Sequence, residues 1–173
     1  TFLQPCTTVN GSTTVHILQE AEENGQYTFQ IKIGVSCEPE SYPRTIGFWT
    51  HQFQAALCKI SGRQHTPSNT LEQYLDQISS QSPTFEFSGT RKQKFQQALN
   101  ILDLPRRPSM EAKLKAQLLA LWLNYVAGYT EGYTLEGMTA QQIIQGSETA
   151  LQNRQTKQYE YWKNLCDRFN NLG

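Results

Sequence analysis

The sequence predicts a mainly helical α+β protein, in which five or six helices surround a central apolar helix and follow an N-terminal three-stranded antiparallel β-meander. Residues 6–36 alternate as strands do, the apolar period becomes helical after Pro43, and residues 109–127 include a run that is apolar on nearly every side. We therefore expect a β-meander at residues 1–40 and a helical domain at residues 43–173.

Length and charge limit the classes of protein that this chain can belong to. Its 173 residues fit one domain of ordinary size with a small appendage. The 15 basic and 15 acidic residues balance, and 17% of the chain is charged, so we expect no nucleic-acid partner. The printed sequence starts without a basic and apolar signal segment, which indicates a mature form or a piece of a longer protein.

The β-meander is predicted from two turns and one alternating strand. Asn10-Gly11 lies between two Thr/Val runs and predicts a hairpin, because both turn residues must accept positive φ. A second turn at residues 23–26 leads into a strand at residues 27–35, whose odd positions are apolar. Such a layer packs on the chain's own helices or is completed through its edges by a neighbouring chain, and both arrangements stay open.

Apolar residues recur at helical spacing in three segments after Pro43. These segments predict helices at residues 45–59, 68–80 and 90–102. Their inward positions are Ile46, Trp49, Phe53, Leu57 and Ile60 in the first, Leu71, Tyr74, Leu75 and Ile78 in the second, and Phe95, Ala98, Leu99 and Leu102 in the third.

The central helix is predicted at residues 109–127. Ser109 is a favourable N-cap, and Gly128 supplies the left-handed residue that ends helices. The apolar run is about half of the roughly 20 residues that a membrane span needs, so we expect no transmembrane segment. Trp122 lies in this run, and we expect it in the core.

Two further helices are predicted after a Gly-rich loop that begins at Gly128. Thr139 and Gln142 form a capping box for a short helix that ends at Gln145. Ser147 then caps a last helix, whose apolar stripe consists of Leu151, Tyr159, Trp162, Leu165, Cys166 and Phe169.

Four well-separated cysteines allow three disulfide pairings. We expect Cys6 to pair with Cys37 across the β-meander, and Cys58 to pair with Cys166 between the first and last helices, with free buried thiols as the alternative. Paired cysteines favour an exported protein.

Two sequence motifs resemble an uncharacterised helical module of bacterial exported proteins. They are G-F-W-T-H-Q-F at residues 47–53 and L-L-A-L-W-L-N at residues 118–124, which match the module's G-[FY]-W start and its L-L-A-x-x-L-N end. The resemblance covers about Ile46 to Asn153 and implies an extracellular or cell-surface context in bacteria without a known activity. The module usually has Lys after the tryptophan, whereas this chain has Thr50, so any role of that lysine is absent.

The residues that define these motifs are Gly47, Trp49, His51 and Asn124. Asn124 is the one polar residue in the apolar run, and an unpaired buried amide costs about 1–3 kcal/mol. We therefore expect Asn124 to bond the backbone of the loop at residues 129–137 or the His51/Gln52 end of the first helix.

The sequence also contains candidate binding and catalytic residues. Trp49, His51 and Gln52, with Tyr129 and Tyr133 in the Gly-rich loop, form a candidate aromatic binding site; packing in the core explains the same residues. We expect no metal site and no cofactor, because the histidines have no zinc spacing and the acids form no calcium loop. The candidate catalytic groups are Cys58 with His65 and the carboxylate pairs Glu131 with Glu136 and Glu86 with Asp103.

The sequence therefore favours a non-catalytic structural or interaction protein of the bacterial cell exterior, whose partners are copies of itself or neighbouring surface proteins. Self-assembly through the β-strand edges is one such arrangement. Two alternatives stay open: an extracellular hydrolase of glycan or cell-wall material, and a carbohydrate- or peptide-binding module.

Overall fold

The computed structural model describes residues 42–172 and the backbone of two short strands before them. Backbone contacts divide the chain into a unit Thr1–Glu40 and a unit Ser41–Gly173. In the first unit, β1 (Glu22–Glu23) pairs antiparallel with β2 (Gln26–Tyr27), on either side of the second predicted turn. The rest of the predicted three-stranded meander, including Asn10-Gly11, lies outside the described residues.

The second unit is mainly helical, as predicted, with six helices in the described residues. A β-hairpin of β3 (Thr134–Leu135) and β4 (Met138–Thr139) lies between the fourth and fifth helices. The helices are α1 (Ile46–Ala56), α2 (Ser68–Gln81), α3 (Arg91–Leu102), α4 (Met110–Val126), α5 (Ala140–Gln152) and α6 (Tyr159–Asn170).

Helix α4 is the central helix that the sequence predicts. The Ser109 side chain accepts a hydrogen bond from the backbone N–H of Ala112, and Gly128 takes a φ of 77° just beyond the helix. Every residue from Leu118 to Asn124 is buried. Helix α4 packs against each of the other five helices, which explains why its second half is apolar on nearly every side.

Helix α1 ends earlier than its apolar stripe predicts. It stops at Ala56, and Cys58 adopts a φ of 55°, a left-handed conformation that no α-helix continues through. Its N-cap is Thr45, whose hydroxyl accepts a hydrogen bond from the backbone N–H of Phe48.

The capping box predicted at Thr139 and Gln142 is confirmed, but the predicted helix end at Gln145 is wrong. Helix α5 continues through Gly146 and Ser147 to Gln152, and the Ser147 hydroxyl donates to the Ile143 carbonyl rather than capping a new helix. A Cβ at Gly146 would lie 2.1 Å from the Trp162 ring, so this glycine permits close packing of α6 on α5. The last helix begins only at Tyr159.

The predicted disulfide between Cys58 and Cys166 is wrong. Cys58 is exposed after the end of α1, whereas Cys166 is completely buried in α6, and both are free thiols. Cys166 contacts the Ser147 hydroxyl at 3.4 Å, and burial raises the pKa of its thiol to about 12. Cys6 and Cys37 lie outside the described residues.

One continuous core fills the helical unit. Its largest fully buried side chains include Trp49, Phe53, Phe95 and Phe169, which come from α1, α3 and α6. The segment between α2 and α3 adds Phe85 and Phe87, whose rings stack with centroids 6.3 Å apart. Among the described residues, no helix combines the length and the apolar character that crossing a bilayer requires.

Candidate functional site

The two sequence motifs meet inside the bundle at Asn124. The Trp49 indole N–H donates to Asn124 Oδ1 over 3.1 Å, and both side chains are completely buried. The same oxygen accepts the backbone N–H of Arg44 at 2.8 Å. Asn124 Nδ2 donates to the Arg44 carbonyl at 2.8 Å and to Asn170 Oδ1 at 2.9 Å. All four hydrogen-bonding positions of this amide are therefore used.

The burial and full pairing of Asn124 are confirmed, but its predicted side-chain partners are wrong. The amide bonds Trp49 and Arg44, at the start of α1, and Asn170 near the end of α6, rather than His51, Gln52 or the backbone of residues 129–137. Asn170 in turn donates to the Gln117 carbonyl and to Gln117 Oε1, each at 3.0 Å. This chain of amides ties α1, α4 and α6 together.

Gln52 and His51 hold the loop that follows α1. Gln52 is completely buried, and its Oε1 accepts the backbone N–H groups of His65 at 2.7 Å and Thr66 at 2.9 Å. His51 lies against Gly62, where a Cβ would stand 2.6 Å from the imidazole Nε2. Both residues thus have structural contacts that account for them. Among the described residues, a Cβ at Gly47 would meet only the Thr45 hydroxyl, at an ordinary 3.7 Å, so these contacts do not require glycine there.

Arg44 lies over two aromatic rings beside this amide chain. Its guanidinium carbon is 5.5 Å from the centroid of the Phe48 ring and 5.5 Å from that of Tyr129. Trp49 packs edge-on against Phe48 and stacks on Tyr129. We call Arg44, Phe48, Trp49, Tyr74 and Tyr129 the Arg44 cluster.

The Arg44 cluster contains one positive charge and two phenols. Tyr74 packs edge-on against Trp49, and burial raises the pKa of its hydroxyl, with a further rise from Tyr129. Arg44 Nε is buried and has no hydrogen-bond partner among the described residues. The sequence motif begins three residues later, at Gly47, so the motif alone does not point to Arg44.

The two predicted binding tyrosines, Tyr129 and Tyr133, have different surroundings. Tyr129 belongs to the Arg44 cluster, whereas Tyr133, just before β3, is half-buried and packs against the hydrophobic core. Because Trp49 is completely buried, it offers no open ring face on which a sugar could stack. The structure therefore does not bring Trp49, Tyr129 and Tyr133 together as an open aromatic platform.

A second buried polar site lies at Glu148, which the sequence reasoning missed. The Trp122 indole N–H donates to Glu148 Oε1 over 3.1 Å, and the Ser82 hydroxyl donates to the same oxygen at 2.5 Å. Burial raises the pKa of this carboxyl, while the two hydrogen bonds act in the opposite direction. Its signal in the sequence is a single acid within the apolar stripe of α5, beside Ile144 and Ser147.

An open cavity of about 560 Å³ lies along the end of α2 and the segment that follows it. Ser82 lines this cavity and links it to Glu148. Asp76 and Glu86 are its acidic lining residues, and Lys94 holds Asp76 at 2.5 Å. Asp103, the expected partner of Glu86, is not among the lining residues.

The remaining candidate groups have few shared contacts. Glu131 and Glu136 are both exposed, and Glu136 forms an ion pair with Arg168 of α6. Cys58 and His65 are both exposed, and no contact joins them. In residues 42–172, no group of three or more His, Cys, Asp or Glu side chains is placed to hold a metal ion.

The fold and these sites define a small helical bundle whose motif residues join its helices. Comparison with protein-family models, curated proteins and solved structures finds no match. The resemblance to an exported module therefore stays a prediction from the motifs.

Proposed function

We propose that this chain is a non-catalytic structural or interaction protein of the bacterial cell exterior. The hydrogen bond between Trp49 and Asn124 carries the proposal, because the two motif ends use their most distinctive residues to join helices. Gln52 likewise bonds the backbone of the loop after α1. Residues with these contacts are explained by the stability of a scaffold and need no reaction to account for them.

The exterior location is supported by the sequence alone. The motif resemblance points to exported bacterial proteins, and the surface is polar through glutamine, asparagine, serine and threonine more than through charge. Because Cys58 and Cys166 are free thiols, that pair gives the location no support.

For assembly, we propose that strand edges in the region of residues 1–40 join copies of the chain. The support is the predicted strand at residues 27–35, because unpaired edge groups of a strand recruit another strand. Analytical ultracentrifugation of the full chain over a wide concentration range tests this. We expect the associated fraction to rise with concentration. A chain that stays monomeric over the whole range would remove the edge-joining part of the proposal.

A pair of lysine variants makes this experiment specific. Thr28→Lys and Gln30→Lys place charge on the predicted polar face of the strand, and lysines on an edge strand oppose pairing. We expect either variant to weaken self-association. Thr149→Lys, on the exposed surface of α5, is the matched control and should associate as the original chain does. Equal weakening by all three variants would indicate a general charge effect instead.

A further inference from the structure

We infer that the Arg44 cluster is a binding site for a carboxylate of an acidic peptide segment in a partner protein. The inference rests on the proposed interaction role and adds the chemistry of the partner. The Arg44 guanidinium supplies the charge, and the rings of Phe48 and Tyr129 orient it.

The position of Arg44 is fixed by its backbone. Asn124 accepts from the Arg44 N–H and donates to the Arg44 carbonyl, each at 2.8 Å. Asn124 is itself completely buried in the central helix. Because the backbone is fixed and the guanidinium lies over the rings of Phe48 and Tyr129, the side chain loses less conformational freedom on binding than a free arginine, and a preorganised group binds more tightly than a mobile one.

The charge of Arg44 has no acidic partner within residues 42–172. Two arginines of the same unit are paired, since Arg91 contacts Glu72 at 2.6 Å and Arg168 pairs with Glu136, whereas Arg44 forms no ion pair with a described residue. Arg44 Nε is buried without an acceptor among the described residues. A carboxylate that reaches the outer nitrogens of this guanidinium forms charge-assisted hydrogen bonds in a partly desolvated setting, where they are stronger than in water.

The surroundings favour a peptide carboxylate over an acidic sugar. Sugar recognition by aromatic residues needs an open ring face, whereas Trp49 is completely buried and Arg44 itself lies over Phe48 and Tyr129. Tyr74 keeps its hydroxyl proton over a wider pH range than a free tyrosine, since burial raises its pKa. The site thus offers the N–H donors of Arg44 to an anion without a platform for a sugar ring.

The test is a titration of the full chain with a capped glutamate hexapeptide, followed by calorimetry and by the NMR signal of the Arg44 Nε–H group. A capped glutamine hexapeptide is the neutral control probe. We expect saturable binding of the glutamate peptide that weakens with added salt and shifts the Arg44 signal. The glutamine peptide should bind at least about tenfold more weakly than the glutamate peptide.

Three variants separate this site from general charge attraction. Arg44→Gln removes the charge but leaves the backbone bonds to Asn124, so the fold is retained, and we expect about tenfold weaker binding. Arg44→Lys keeps a charge without the planar fork, and its affinity for the glutamate peptide should lie between those of the original chain and Arg44→Gln. Arg106→Gln removes an exposed arginine of the loop before α4 and should leave the affinity unchanged.

Several outcomes would overturn the inference. They are no binding of the glutamate peptide, equal binding of the two peptides, or equal loss in Arg44→Gln and Arg106→Gln. Tight binding of polygalacturonate with no binding of the peptide would assign the site to an acidic sugar instead. Self-association is measured separately, so a monomeric chain that binds the peptide through Arg44 removes the assembly proposal and keeps this one.

Discussion

Two buried sites in the helical unit use the same donor for different acceptors. At the first, the Trp49 indole donates to the amide of Asn124, and at the second the Trp122 indole donates to the carboxyl of Glu148, each over 3.1 Å. Asn124 is neutral at every pH and has all its hydrogen-bonding positions filled. Glu148 can ionise, and burial disfavours its charged form. The comparison shows that the acceptor decides whether a buried indole N–H forms a hydrogen bond that depends on pH: an amide gives one that does not, and a carboxyl gives one that does.

The two sites also differ in what they connect. Asn124 joins the segment before α1 to α4 and, through Asn170, to α6. Glu148 joins α5 to the central helix and, through Ser82, to the end of α2. We expect loss of the amide site to loosen the motif residues and the Arg44 cluster. Loss of the carboxyl site should loosen the wall of the cavity beside Ser82.

The largest effect is expected from Trp122→Ala. This change removes a buried aromatic ring and leaves the Glu148 carboxyl without its indole donor, so unfolding free energy should fall by about 3–5 kcal/mol. Urea denaturation at neutral pH measures it. Trp122→Phe keeps most of the packing and removes only the hydrogen bond, so it should cost clearly less. A loss below about 1 kcal/mol for Trp122→Ala would show that α4 is not the centre of the fold.

Asn124→Ala should have the second-largest effect and lower the free energy of unfolding by about 2–4 kcal/mol. It leaves the Trp49 indole N–H, both backbone groups of Arg44 and the Asn170 oxygen without their partner, and water has little access to them. Because no titrating group is involved, we expect the same loss at acidic and neutral pH in urea denaturation. A loss that changes strongly with pH would mean that the amide site is coupled to an ionisable group and would break the comparison.

Glu148→Gln should have a smaller effect, of opposite sign at neutral pH. Glutamine still accepts from Trp122 and Ser82 through its oxygen but carries no charge. The pKa of Glu148 is raised in the folded chain, so the folded state holds more protons than the unfolded state between the ordinary carboxyl pKa and the raised value. Stability from this group is therefore complete below that window and declines as pH rises through it.

The stability of Glu148→Gln should not decline in this way, so the difference in stability between the variant and the original chain should change with pH. Relative to the original chain, Glu148→Gln should gain stability as the pH rises from acidic to neutral. Glu160→Gln, an exposed acid on α6, is the matched control and should show no such gain. The idea fails if both glutamine variants follow the same pH profile.

The sequence predicts the central helix and the burial of Asn124 because both depend on local pattern. Ser109, the apolar run and Gly128 mark the ends and the surroundings of α4 without knowledge of its neighbours. The partners of Asn124 are different, since Arg44 is 80 residues away and Asn170 is 46 residues away. Which side chains reach a buried amide over such separations depends on how helices pack, and a periodic pattern does not encode that.

Gly146 shows the same limit in a single residue. Glycine near the end of an apolar stripe predicts a helix end, and Ser147 after it predicts a new N-cap. Both residues instead lie inside α5, and the glycine is explained by the Trp162 ring, which occupies the space that a side chain at Gly146 would take. The contact comes from α6, so the correct interpretation of this glycine requires the packing of two helices.

The smallest effect is expected in the labelling of the Cys58 and Cys166 thiols, and it reports on opening near the carboxyl site. Cys166 contacts Ser147, the neighbour of Glu148, and burial raises its thiol pKa to about 12, whereas Cys58 is exposed. In the folded chain we expect a maleimide reagent to modify Cys58 rapidly and Cys166 only through rare opening of α5 from α6. We expect the charged form of Glu148 to weaken this region, so Glu148→Gln should slow the labelling of Cys166 at neutral pH. Asn124→Ala should speed the labelling without a pH dependence beyond that of the reagent. Mass spectrometry of the labelled peptides measures both rates, and rapid modification of Cys166 in the original chain would contradict its buried position.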